Sequence, residues 1–245
     1  MSKREILVLV EGQVTDVKLM ERLLTAYGIY EEHQIVYYGT DVYSLYDALF
    51  RNKEGLAVLD LPLHLRSRES DPDKKEILSK CFSRILLVFD LDPQSTHFLP
   101  ERAKAMAEYF NDSTDVGLLY LNYPMIEAFF HIKSIPDPDY IEYTASLSEL
   151  KRKKETYKDR VSKESCIIDR RGVFQNRNTC NTIIRHNLEK AWQITGETPS
   201  VMLPMPSQDR ILQKQLETVY ADARVSILCT CCLYIVDYNP NLIQE

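Results

Sequence analysis

The chain has 245 residues, 44% apolar, 27% charged and 10% aromatic, enough for one main domain with a sizeable core and a smaller appended unit. Its seven glycines and eleven prolines follow no period, which excludes collagen-like and low-complexity classes. A formal charge of −6 argues against a general nucleic-acid coat. The longest apolar runs fall far short of the roughly 20 residues a membrane span needs. The opening Met1-Ser2-Lys3-Arg4-Glu5 is charged and holds no secretory cleavage site, so a soluble cytoplasmic protein with no membrane association is expected.

Residues 6–10 form a short apolar strand of the kind buried in a parallel sheet. Glu11-Gly12 turns the chain, Thr15 is placed to cap a helix with Val17, Met20, Leu23, Leu24 and Tyr27 on its apolar face, and Gly28 stops it. Residues 34–38 read as a second strand and 43–50 as a short helix, while 51–80 read as an insertion or mobile loop. Residues 84–89 form the next strand and run into Asp90-Leu91-Asp92. A helix over 101–110, a strand over 116–121 and a helix starting within 124–131 follow. This alternation predicts an α/β fold with a mostly parallel sheet flanked by helices over residues 1–135. Beyond Pro138 helices are expected over 146–163, 179–194 and 208–223, giving a helical C-terminal region over 136–245. The apolar 225–238 segment suits a strand or a buried helix.

Residues 146–190 hold twelve Lys/Arg against six Asp/Glu, a local +6 that leaves −12 for the rest. Such asymmetry suits either a basic attachment that meets a polyanion or a solvated helix with interspersed charges. Lys151, Arg152, Lys153, Lys154, Arg170 and Arg171 are the candidate nucleic-acid contacts. Cys229, Cys231 and Cys232 are spaced too tightly for a zinc knuckle and lie in an apolar run, so they read as small buried hydrophobes.

Glu11 follows the first strand, and Asp90 and Asp92 follow a later one. In a parallel sheet those ends share one edge, where α/β folds place their ligands. The two-residue period would point Asp90 and Asp92 to one side if the strand continues. Converging carboxylates with no Lys or Arg beside them in sequence repel one another unless a cation intervenes, and oxygen-only ligation fits Mg²⁺ or Mn²⁺.

The run Leu7-Val8-Leu9-Val10-Glu11-Gly12-Gln13-Val14-Thr15-Asp16, followed by Leu86-Leu87-Val88-Phe89-Asp90-Leu91-Asp92, resembles the two motifs of Toprim domains. The Glu-Gly-x-x-Thr-Asp form, with Asn122-Tyr123-Pro124-Met125-Ile126-Glu127, is most similar to RloB-like and OLD-type abortive-infection nucleases. The resemblance covers about residues 6–131. It implies a Toprim-like, Rossmann-like fold and a metal-dependent nuclease acting on DNA or RNA, tRNA included, in antiviral defence. On that carry-over Glu11 is general acid/base or metal ligand, Asp90 and Asp92 bind the divalent ion, and Glu127 is a further acid. Asp16 would help a second ion about 4 Å from the first. Asp16 equally suits a charge favoured at a helix N-terminus, and Glu127 a surface acid in a first helical turn. Asn122 suits a ligand-orienting role or ordinary turn chemistry, and His131 a structural role more than a catalytic one.

Two other readings stand beside it. Val88-Phe89-Asp90-Leu91-Asp92 also looks like the opening motif of haloacid-dehalogenase-type phosphatases, which leaves Glu11-Gly12 unexplained. Alternatively the chain is a Toprim subunit that is silent until a partner activates it. No Gly-rich phosphate loop is present, so an ATPase on a separate chain is the expected source of any ATP dependence, and a homo-oligomer is the other expected partner.

Overall fold

The computed structural model describes residues 5–50, 60–198 and 205–244. Its centre is a five-stranded sheet in the order β2-β1-β3-β5-β4, formed by β1 (Ile6–Val10), β2 (His33–Tyr37), β3 (Arg84–Asp90), β4 (Asn111–Asp112) and β5 (Gly117–Asn122). β2, β1, β3 and β5 run parallel, and only the two-residue β4 at the edge is antiparallel. All five residues of β1 are buried, because helices cover both faces of the sheet. The register sets Val10 beside Val88 and Asp90 beside Asn122, so the carboxyl ends of β1, β3 and β5 finish at one level.

The α/β architecture expected from the strand–helix alternation is present, with several local corrections. In α1 (Thr15–Ala26) Thr15 is the first helical residue and no side chain caps the start; the Asp16 carboxylate instead accepts the Gly12 N–H at 2.5 Å. Gly28 ends the helix at φ +71°, a conformation open to a residue without Cβ. α2 (Val42–Phe50) forms as expected. Of the loop expected over 51–80, residues 51–59 lie outside the described residues. The remainder holds two short helices, α3 (Leu61–Arg68) and α4 (Pro72–Ile77). Each starts with an Asp side chain accepting a backbone N–H and a proline in the first turn: Asp60 takes Leu63 N–H at 2.9 Å, and Asp71 takes Asp73 N–H at 2.9 Å. α5 (Pro100–Tyr109) follows β3. The helix expected within 124–131 is a buried 3₁₀ turn, Ile126–Phe130.

The helix expected over 146–163 is two helices, α6 (Leu147–Leu150) and α7 (Tyr157–Glu164). Four successive like charges, Lys151 to Lys154, occupy the break, with Glu155 at φ +51°, and Thr156 and Asp159 then form a reciprocal cap that restarts the helix. α8 (Arg177–Thr195) and α9 (Gln208–Asp222) match expectation within two residues at each end. The 225–238 segment is neither one strand nor one helix: β7 (Arg224–Ser226) pairs with β6 (Thr144–Ser146), and a 3₁₀ turn then leads into α10 (Tyr234–Tyr238). Its three cysteines are fully buried free thiols.

Packing is continuous across 135–140, because the C-terminal segment returns to the sheet. Tyr123 and Leu228 exchange N–H···O bonds of 2.8 Å, and the Thr230 hydroxyl donates to the Leu121 carbonyl at 2.7 Å. Buried Asn187 on α8 ties both returns together: its Oδ1 accepts the Tyr140 hydroxyl and the Cys229 N–H, each at 2.7 Å. Asn187→Ala leaves both donors without a partner in a dry interior. A loss of about 2–4 kcal/mol is expected, read as a lower urea midpoint at unchanged slope.

Candidate active site

The sheet edge collects acids because parallel strands deliver all their carboxyl ends to one side. Glu11 leaves β1 with its N–H on the Val88 carbonyl at 3.0 Å, and its Oε2 accepts the Asp90 N–H at 3.1 Å. Asp90 ends β3, and its Oδ1 accepts the Nδ2 hydrogen of fully buried Asn122 at 3.2 Å. Asn122 Oδ1 in turn accepts the Cys231 N–H at 3.2 Å, so the C-terminal segment fixes the amide that holds Asp90.

Asp92 arrives differently from the period-two expectation. The ladder continues through Leu91, whose N–H reaches the Asn122 carbonyl at 3.0 Å, but Asp92 turns out of the strand at φ +43°. A non-glycine residue in that region is strained by its Cβ. The turn is held by the Asp92 N–H on the Pro124 carbonyl at 3.1 Å, and Gln94 Nε2 donates to Asp92 Oδ1 at 2.7 Å.

Asp16, buried in the first turn of α1, and Glu127, 4% exposed in the 3₁₀ turn after β5, complete the group. Glu127 Oε1 pairs with Lys158 Nζ at 3.0 Å, while its buried Oε2 has no hydrogen-bond partner among the described residues. Among the described residues, Lys158 on the first turn of α7 is a cation that reaches this cluster. In the sequence it is one of the twelve basic residues of 146–190, marked only by standing two residues after Thr156, the helix cap.

The charges report the crowding. Loss of hydration and the nearby Asp92, Asp16 and Asp41 push Glu11 up to about 8, against the pull of the Asp90 N–H. Burial, then Glu11, Asp92, Asp16 and Glu127, raise Asp90 well above the usual carboxylate range. Asp92 and Asp16 are raised for the same first reason, loss of hydration. Burial opposes the Lys158 charge, yet Glu127 first and then Asp90 and Asp92 hold its pKa above the usual lysine value.

These residues suit a hard divalent cation. Among the described residues several carboxylates face Lys158, and one Glu127 oxygen is left without a partner. Among the described residues no three His, Cys, Asp or Glu side chains already stand as a ready ligand set. Mg²⁺ needs only one or two carboxylates and keeps several waters, so Glu11 and Asp90, whose strand ends are joined by the Asp90 N–H on Glu11 Oε2, are the residues that could hold it.

The expected nucleic-acid contacts separate into two groups. Lys151, Arg152, Lys153 and Lys154 are exposed in the turn that feeds α7, and none forms an ion pair among the described residues. Arg170 packs over the Phe130 ring at 4.9 Å and reaches Ser162 Oγ at 3.4 Å, and Arg171 is exposed on the loop before the 3₁₀ turn at Gly172–Gln175. His131 is fully buried between the Tyr157 hydroxyl at 3.0 Å and Glu164 at 3.1 Å, where it docks α7. No helix among the described residues is long and apolar enough to cross a membrane.

The raised Glu11 pKa has a thermodynamic consequence. Between 4.5 and about 8 the folded chain keeps a proton that the unfolded chain has released. This contribution to stability is therefore complete below 4.5 and is lost as pH rises through about 8. In EDTA, the melting temperature of the wild type should fall across that window relative to Glu11→Gln; parallel curves for the two proteins would refute a raised Glu11. Comparison with protein-family models, curated proteins and solved structures finds no match to this chain.

Proposed function

We propose that the chain is a Mg²⁺- or Mn²⁺-dependent nuclease whose sheet edge is of the Toprim type, similar to RloB-like and OLD-type defence proteins. The observation that carries this reading is the crowding of Glu11, Asp16, Asp90, Asp92 and Glu127 at one strand edge against Lys158. Such a group is costly to ionise together and becomes stable when a divalent ion joins it.

A bound ion supplies Lewis-acid polarisation of the phosphoryl group and a more acidic water. The chain does the rest. Glu11 and Asp90 would hold the ion, while Asn122 and Gln94 orient Asp90 and Asp92. Lys158 is positioned to meet a phosphate oxygen as negative charge builds there, with Glu127 keeping its ammonium in place. Lys151, Arg152, Lys153 and Lys154 contact the backbone of DNA or RNA outside the cleft, and Arg170 and Arg171 extend that contact. The defence role, the cytoplasmic setting and an ATPase on a separate chain are proposals that rest on the resemblance.

The test is purified protein with a panel of DNA and total RNA, with and without Mn²⁺, beside Asp90→Ala. Metal-dependent cutting should fall by at least about 10³-fold in the variant while folding and most binding remain. Replacing the four basic residues at 151–154 by glutamine should weaken binding and lower the salt slope by up to about 3. A well-folded wild type that cuts nothing would shift the reading to a subunit activated by a partner.

A further inference from the structure

Hydrolysis of a phosphodiester expels a sugar oxygen that leaves poorly as an anion, and a positioned proton donor there is worth about 10²–10⁴-fold. In the reading above Glu11 and Asp90 hold a cation, and a carboxylate that ligates a cation through its oxygens has no proton to give. The remaining strand end of the same edge, that of β2, supplies another group.

After β2 the chain is stapled to the end of β1: the Tyr38 N–H donates to the Val10 carbonyl at 2.8 Å and the Gly39 N–H to the Glu11 carbonyl at 2.9 Å. Two residues on, Asp41 precedes α2 and its Oδ1 accepts the Ser44 N–H at 2.7 Å. Its Oδ2 lies 3.0 Å from Nδ1 of His97. His97 belongs to the loop that begins at Asp92. There the Ser95 N–H donates to the Asp92 carbonyl at 2.8 Å, and the His97 N–H to Ser95 Oγ at 3.1 Å. Tyr43 on α2 donates its hydroxyl to the Leu91 carbonyl at 2.6 Å and packs edge-on against Phe98, the neighbour of His97. The backbone segments that fix Glu11 and Asp92 therefore also fix this pair.

The chemistry of the pair is directional. Burial works upward on Asp41, but the Ser44 hydroxyl and N–H and then His97 hold its carboxyl below the usual range. An ionised carboxylate only accepts, so Nδ1 carries its hydrogen toward Asp41 and Nε2 is left as the exchanging nitrogen. No hydrogen bond engages Nε2 among the described residues. The His97 side chain is 63% exposed and that of Asp41 19%, the pattern of a solvent-facing acid held by a sheltered orienting group.

We propose that His97, oriented by Asp41, donates the proton to the leaving oxygen during phosphodiester cleavage, an inference that rests on the nuclease reading above. The attacking water forms the new P–O bond and releases one proton to solvent. The P–O bond to the leaving sugar oxygen breaks, its electron pair stays on that oxygen, and the oxygen takes the Nε2 proton. The products are a phosphate monoester and a free hydroxyl, and His97 regains a proton from solvent.

The experiment uses the full chain with Mn²⁺ on single- and double-stranded DNA and RNA oligonucleotides, and on the same strands with sulfur in place of the leaving oxygen. A thiolate leaves without protonation. His97→Ala should lose about 10²–10³-fold on the oxygen substrate yet stay within about threefold of wild type on the sulfur substrate, with Asp41→Asn intermediate. Equal losses on both substrates would make the pair structural, and no loss on the oxygen substrate would remove it from the reaction; either overturns the proposal. A wild type that cuts neither substrate overturns the nuclease reading, and this one with it.

Discussion

Mutual repulsion among carboxylates at the carboxyl edge of the sheet is the constraint around which the rest of the molecule is arranged. Glu11, Asp90 and Asp92 come from adjacent parallel strands, and Asp16 and Glu127 close in from the flanking turns. Left to itself such a group would splay toward water. Here each acid but Glu127 is held by a hydrogen bond from the scaffold: Glu11 by the Asp90 N–H, Asp16 by the Gly12 N–H, Asp90 by the Asn122 amide, Asp92 by Gln94. Glu127 is held instead by the ammonium of Lys158. The backbone fixes the charges in place at the cost of their ionisation, which is why Glu11 and Asp90 are raised so far.

Two segments of the second half of the chain support this edge. His131 and Glu164, with Arg160 reaching Glu164 at 3.0 Å and Glu149 at 3.2 Å, bind α7 to the turn after β5 and so fix where Lys158 points from. The cysteine-rich return is the other support. Its Cys231 N–H orients Asn122, its Thr230 hydroxyl seals the Leu121 carbonyl, and Asn187 anchors it from α8. Three buried thiols pack beside this polar relay as small apolar groups.

Charge is segregated by depth. The sheet edge is acidic, while the 151–154 run lies exposed in the turn immediately before the helix that carries Lys158. This separation places basic charge on the surface and acidic charge at the sheet edge despite a net charge of −6.

The sequence by itself determined the parallel α/β core, since apolar runs such as residues 6–10 and 85–89 have no other place to go. It also marked Glu11, Asp90 and Asp92 as strand-end acids, because strand ends are local features. It could not reveal how Asp92 reaches the site, which depends on a left-handed turn held by the Pro124 carbonyl. Nor could it select Lys158 from twelve basic residues in the 146–190 stretch, or pair Asp41 with a histidine 56 positions away. The single helix expected over 146–163 is broken at 151–156, where four like charges end one helix and the Thr156–Asp159 cap starts the next. Those outcomes belong to tertiary structure: they arise where segments distant in sequence meet, and a side chain's partner is then set by packing rather than by its neighbours along the chain.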